Sequence, residues 1–329
     1  MKLLFTLLTV LFLSVDALLA QSISYSVPRA YKSSISADDY KRIVDLSVVA
    51  VGKEFHINKV KDGTITLGKN ENLQAVNLHN LVAKCIAVPD KTQWEAVIQD
   101  HFDNLFMSIR KQANLNVQNF DTAAKYLSLR IYSQAAVTAR GGVGQLVTKT
   151  DLEGTYTMLM LDLPGAFTPI PQTLFASWNK SAAEAFRIAQ HNVNKQAIDK
   201  ITKSFDFNGS SIEMSFIGNE DYAASYALDL ANNSPELVGK WGSVVAMPNK
   251  GLVNICQISP EKPLDFVQFI QRTKALIEKS YTEHPQPISS RFFWYYQNRF
   301  IPINVTTGSK GEAVIVAPLE LSTLIASGK

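Results

Sequence analysis

Apolar positions along this chain change period several times, and each change marks an element. Trp94, Val97, Ile98, Phe102, Leu105, Phe106 and Ile109 recur in steps of three and four, the period of one helix face, with Asp90 at their head. A second helix is predicted over 37–51. Ser36 caps it, Asp38 and Asp39 place negative charge in its first turn, and Gly52 ends it. Ser181 heads a third, predicted to reach about residue 203, with Ala182, Phe186, Ala189, Val193 and Ala197 along one side. Shorter helical readings fall at 174–178 and, after Asp221, at 222–232. Pro263 suits the first turn of a helix running to about residue 281.

Strand-length runs lie between these helices. Residues 55–60 and 64–67 read as a hairpin about Asp62-Gly63, with a third strand at 74–78. Further strands are predicted at 127–133, 155–161, 212–217, 243–247 and 252–258, the last two separated by the turn cluster Pro248-Asn249-Lys250-Gly251. Residues 291–296 and 300–305 make a closing hairpin that turns near Gln297-Asn298. Prolines break the pattern across 164–171, and no period assigns 313–326. The order lacks the regular strand–helix alternation of a doubly wound parallel sheet. It predicts an α+β fold with mostly antiparallel sheets and three long amphipathic helices. It also predicts two lobes, 36–145 and 146–329, that follow a flexible segment at 21–35.

The first residues have a different pattern. Met1-Lys2 supplies a positive start, residues 3–15 are almost wholly apolar, and Ala17-Leu18-Leu19-Ala20 follows Asp16. That order is the signature of a secretory signal peptide over 1–20, cut after Ala20. As a membrane anchor the run falls short of the roughly 20 apolar residues a span requires. The expected address is therefore secreted or periplasmic, with no transmembrane segment left after cleavage.

Composition narrows the function classes. An apolar fraction of 46% and a charged fraction of 19% belong to a globular chain, and 329 residues suffice for a sizeable core. Net charge is +3, without a lysine or arginine cluster long enough for a nucleic-acid stripe. Cys85 and Cys256 both lie in apolar runs, so buried free thiols are expected in preference to a disulfide.

Several stretches resemble a known family. A strand ending in Asp162 leads through 169–178 into Ala182-Ala183-Glu184-Ala185-Phe186-Arg187-Ile188-Ala189-Gln190-His191-Asn192-Val193. Asp221-Tyr222-Ala223-Ala224-Ser225 leads through Leu237 to Val244-Val245-Ala246-Met247-Pro248, and 78–88 gives a third, weaker match. Over roughly 75–260 the chain resembles the YtpQ-like bacterial family of uncharacterised proteins. The resemblance implies a cytosolic bacterial protein of unassigned activity and transfers no catalytic residues. The leader and the aromatic C-terminal segment are departures from the family pattern.

Candidate chemistry is sparse. His56, His79, His101, His191 and His284 form neither a His-Glu-x-x-His pair nor a zinc spacing with cysteine, so no metal or other cofactor is expected. Arg140-Gly141-Gly142-Val143-Gly144 reads as a flexible loop, because no helix pattern follows to complete a phosphate cradle. Asp162, His191, Asn192 and Ser225 are the polar groups that a shared cleft could turn into a hydrolytic site. Phe292-Phe293-Trp294-Tyr295-Tyr296 places Phe292, Trp294 and Tyr296 on one strand face and Phe293 and Tyr295 on the other. Such a strand is either buried on both faces or an open aromatic platform for ligand. The glycosylation sequons at Asn179, Asn208 and Asn304 matter only in a host that glycosylates exported proteins.

The expectation is an exported bacterial protein without catalysis of its own. It would bind a small molecule, peptide or glycan, or an envelope protein, and no nucleic acid. An envelope hydrolase and a purely structural protein are the alternatives. The three are separated by a lined pocket, by catalytic groups within hydrogen-bond reach, and by whether the aromatic strand meets water.

Overall fold

The computed structural model describes residues 22–68, 75–138, 142–163, 166–207, 210–309 and 313–328. The signal peptide expected over 1–20 lies outside these residues, as do Arg140 and Gly141 of the glycine loop. The class is α+β with antiparallel sheets. The chain divides into two compact units, 1–100 and 101–329.

The first unit carries β1 (Ser22–Ile23), α1 (Ala37–Gly52), β2 (Ile57–Lys61), β3 (Thr64–Leu67), β4 (Ala75–Asn77) and α2 (His79–Ala87). Its sheet runs β1-β2-β3-β4. Asp62 and Gly63 turn the β2–β3 hairpin at φ of 48° and 72°, the left-handed pair that a two-residue turn of this kind requires. Ser36 Oγ accepts the Asp39 N–H, so the predicted cap of α1 is in place. Tyr40, Ile43, Val44 and Val51 of α1 are buried, as are Ile57, Val60 and Ile65 of the hairpin. The segment 21–35 expected to be flexible is ordered from Ser22 on. β1 pairs parallel to β2, and buried Tyr31 donates to the His79 carbonyl at 2.8 Å.

α3 (Trp94–Ala113) contains the division at Asp100. The second unit continues with α4 (Phe120–Ala124), β5 (Leu127–Ser133), α5 (Gln134–Thr138), β6 (Thr148–Lys149), β7 (Thr155–Leu163), β8 (Ala166–Pro169), α6 (Gln172–Ser177) and α7 (Ala182–Val193). After these come β9 (Asp199–Phe207), β10 (Ser210–Gly218), α8 (Ala223–Tyr226), α9 (Leu230–Asn233), β11 (Ser243–Asn249) and β12 (Leu252–Gln257). The chain closes with α10 (Asp265–Glu283), β13 (Phe292–Tyr296), β14 (Arg299–Thr307), β15 (Ala313–Val316) and α11 (Leu319–Ser327).

The predicted boundary after residue 145 would cut the smaller sheet of this unit. There β5 pairs with β7 from Leu127↔Leu161 to Ser133↔Thr155, and β6 and β8 also pair with β7. The larger sheet is antiparallel in the order β15-β14-β13-β11-β12-β10-β9. One of its faces packs Val244, Ala246, Phe292 and Trp294 against Phe266, Phe269, Ile270 and Ile277 of α10. Its other face gives Val245, Met247, Ile255, Phe293 and Tyr295 to a second core, shared with Leu129 and Leu159 of the smaller sheet and Ala185, Phe186 and Ala189 of α7. The layering is α10, large sheet, α7 and small sheet, in which each sheet buries its alternating apolar side chains.

Two helices are shorter than their apolar steps predict. α7 stops at Val193, and residues 199–207 are strand instead of helix. There Ile201, Phe205 and Phe207 alternate at period two and pair across the hairpin with β10. The helix expected over 222–232 is broken into α8, a 3₁₀ turn at Ala227–Asp229 and α9. The prolines of 164–171 do not end all pairing, because β8 adds to β7. The unassigned 313–326 holds β15 and α11. Among the described residues no helix is long and apolar enough to cross a membrane.

Candidate functional site

Among the places in the second unit that gather polar side chains, two hold the residues singled out from sequence. The first lies beside the small sheet. Arg130 stands in the middle of β5 with 5% of its surface exposed. Its Nη2 donates to Asp221 Oδ1 at 2.6 Å and its Nη1 to Gln286 Oε1 at 3.2 Å. Its guanidinium lies 3.7 Å above the centre of the Phe167 ring, an attraction between cation and ring face. Lys250, from the β11–β12 turn, donates to the same Asp221 oxygen at 2.5 Å. The Asp221 loop is held by Asn219, whose side-chain oxygen accepts the N–H groups of Asp221 and Tyr222 at 2.8 and 2.9 Å. Tyr222 donates its hydroxyl proton to Asp162, at the end of β7, and its ring meets Phe167 edge-on.

The two carboxyls of this cluster are pushed opposite ways. Burial raises Asp162, and the hydrogen bond from Tyr222 offsets only part of the rise. Burial acts on Asp221 too, but the Arg130 charge and the Lys250 hydrogen bond outweigh it and hold that carboxyl below its ordinary value. Burial, with the Arg130 charge beside it, depresses Lys250. Tyr222 is driven up by burial and by its bond to Asp162. Among the described residues Arg130 Nε and the Oγ of buried Ser128, two positions away on the same strand face, have no hydrogen-bond partner.

The second place is an open cleft of about 740 Å³ beside α7. Lys149 and Asp151 line one wall, Phe186, Arg187, Gln190, His191 and Asn194 line the helix side, and Leu228, Asp229 and Asn298 close the rest. The helix begins at Ser181, whose Oγ accepts the Glu184 N–H at 3.2 Å, so Ala185, Phe186, Ala189 and Val193 turn inward. Much of the lining is held by its neighbours. Lys149 pairs with Asp151 at 3.0 Å, and Thr157 donates to Asp151 at 2.6 Å. Gln190 donates to Asn194 at 2.8 Å and to the Ser225 carbonyl at 3.1 Å, while Asn194 donates to Asp229 at 2.7 Å. Arg187 and His191 differ from these. Both are exposed, one helical turn apart, and neither makes a hydrogen bond or ion pair among the described residues.

Known protein families, curated proteins and solved structures contain no match to this chain.

The four groups proposed from sequence for a hydrolytic site are dispersed over separate tasks. Asp162 belongs to the Arg130 cluster and His191 to the cleft. Asn192 turns inward and donates to the carbonyls of Ala124 and Leu127, both at 2.9 Å, so it ties α7 to β5. Ser225 is buried and donates to the Tyr222 carbonyl at 3.2 Å. Among the described residues no hydrogen bond joins any two of the four. Phe292, Trp294 and Tyr296 do not form an open platform. Phe292 is 2% exposed, Trp294 is fully buried and donates to the Trp241 carbonyl at 2.7 Å, and half-buried Tyr296 stacks on Trp294 at 4.6 Å. The strand lies between two cores, so both of its faces are covered.

Cys85 and Cys256 are buried free thiols, and burial pushes Cys85 up to about 11 and Cys256 up to about 12. Among the described residues no group of three or more His, Cys, Asp or Glu is placed to hold a metal ion. Sequence reading missed Arg130, Lys250 and Gln286. Arg130 carried a signal, since a charged residue inside an otherwise apolar strand must find a partner when buried. Lys250 sits in a turn, where a lysine is unremarked.

Proposed function

We propose that this chain is an exported bacterial binding protein, without catalysis of its own, that holds a polar ligand bearing an acidic group in the cleft beside α7. Export to a secreted or periplasmic address rests on the leader pattern of residues 1–20, and a bacterial source on the YtpQ-like resemblance. The observation that carries the binding reading is the pair Arg187 and His191. Their donors face a cleft whose other polar walls are already fixed by hydrogen bonds. A wall fixed before binding loses little entropy when ligand arrives, and an arginine fork is suited to a carboxylate. An uronic-acid oligosaccharide and a short peptide with a free C-terminus are the two probe classes, each paired with its neutral counterpart. Calorimetry is expected to show binding of an acidic member that Arg187→Ala weakens at least about tenfold. An acidic probe that binds equally well to Arg187→Ala and His191→Ala, or no binding by either class, removes this reading.

A second reading, an envelope hydrolase, is favoured by one observation. Asp162 is raised and Asp221 lowered within one cluster, the separation of protonation states that an acid–base pair uses. Turnover of ester, glycoside or peptide substrates that vanishes in both Asp162→Asn and Asp221→Asn would support it. Turnover that survives either change would not.

A further inference from the structure

β9 is the outer strand of the large sheet, and β10 is its only strand partner among the described residues. It is nine residues long and exposed from Asp199 through Ser204. A strand edge of this length presents a row of unpaired N–H and C=O groups, a template for another strand. The side chains along it are arranged for one particular partner. We infer that β9 pairs antiparallel with β9 of a second copy of this chain, joining two large sheets into one.

The register follows from symmetry. In a continuous antiparallel sheet the two-fold axis between two copies of one strand runs normal to the sheet. Each face then continues into the same face of the partner, and only residues of like parity stand opposite each other. The register that centres the axis on Lys203 aligns the whole strand. On one face it places Lys200 opposite Asp206 of the second copy twice, and Thr202 opposite Ser204 twice. On the other face it places Ile201 opposite Phe205 twice and Asp199 opposite Phe207 twice, at the ends, with Lys203 against its own copy on the axis.

Opposite charges, paired hydroxyls and aromatic–branched pairs are the favourable cross-strand combinations. Moving the axis to Thr202 or Ser204 shortens the ladder and brings no opposite charges together. Asp206 makes no ion pair among the described residues. Lys200 touches Glu236 and the Asn233 carbonyl, both at 3.1 Å, and lies by the Tyr226 ring, so its ammonium is shared between the chain's own acceptors and Asp206 of the second copy. Ile201, 52% exposed, is covered by Phe205 of the second copy.

The test is sedimentation of the purified protein over a concentration series, with variants whose fold is verified by circular dichroism. Wild-type protein is expected to dimerise. Lys200→Glu and Asp206→Lys each set like charges opposite at two places, and each is expected to raise the dissociation constant by about tenfold or more. Combining the two exchanges the signs and is expected to restore dimerisation to within about threefold of the wild type. Lys203→Thr removes the one like-charged pair and is expected to tighten the dimer. A protein monomeric at millimolar concentration overturns the inference. So does a dimer that ignores the single reversals, or one that the combined exchange fails to restore.

Discussion

Arg130 and Asp221, 91 positions apart in the chain, meet at 2.6 Å, and Lys250 reaches the same carboxylate oxygen from a third segment at 2.5 Å. One carboxylate thus compensates two cations whose side chains are only 5% and 6% exposed. The arrangement ties β5, the Asp221 loop and the β11–β12 turn together. Replacing Asp221 leaves both cations buried without a counter-charge.

Asp221→Asn is therefore expected to destabilise the protein by about 3 kcal/mol, the lower end for breaking a buried pair because the carboxylate itself keeps some solvent contact. The folded pKa of Asp221 is depressed, so its contribution is present above its unfolded value and fades as pH falls through the folded one. Urea unfolding at pH 7 and in acid checks both statements, and the gap between wild type and variant should close in acid.

Asp162 behaves in the opposite sense. Its folded pKa is raised above the ordinary 3.8, so its contribution to stability is fully present below that value and is lost as pH rises through the folded one. Asp162→Asn keeps an acceptor for the Tyr222 hydroxyl and removes the burial of charge. The variant is expected to be more stable than wild type at pH 7, with the gain disappearing below pH 3.8. A variant less stable than wild type at pH 7 contradicts this sign.

All four tryptophans are buried, none more than 6% exposed, and Trp294 is fully enclosed. Native fluorescence is expected to be blue-shifted and resistant to acrylamide, with both properties lost on unfolding. Trp294→Ala should cost about 3–5 kcal/mol, as large-to-small changes of buried aromatics do. Gly242, at φ 82°, lies under the same side chain, and a Cβ there would stand 2.8 Å from Trp294 Nε1 and collide with the Tyr295 carbonyl. Gly242→Ala is expected to cost about 2 kcal/mol or more.

Asn192 separates a structural from a catalytic role. Its amide donates to two backbone carbonyls, and Asn192→Ala leaves both without that donor. A loss of about 1–3 kcal/mol is expected. Ligand binding at the Arg187 end of the cleft should be retained in the folded fraction. Unchanged stability would show that α7 is anchored otherwise.

How far the sequence could be read depends on the range of the interactions involved. The caps at Ser36 and Ser181 and the Asp62-Gly63 turn follow from neighbours within four residues, and each stands where local chemistry placed it. The end of α7 departs from its apolar pattern because the step from Val193 to Ala197 fits a helix, whereas pairing with β10 makes residues 199–207 a strand. Local propensity is a weak prior against a ladder of backbone hydrogen bonds. Residues 21–35 read as flexible from sequence because the partner that orders Ser22 and Ile23 is β2, far along the chain.

By itself the sequence determined the fold class, the alternating faces of β13 and the capped starts of α1 and α7, since periodicity and capping are properties of adjacent residues. Only the tertiary structure decided that both faces of β13 are covered, that Asp162 lies with Tyr222 and Arg130 while His191 lines a separate cleft, and that β9 is left as an edge. Those outcomes depend on which distant segments come together. Burial and long-range pairing are created by the packing of layers, and a single stretch of residues carries no record of what will lie above or below it.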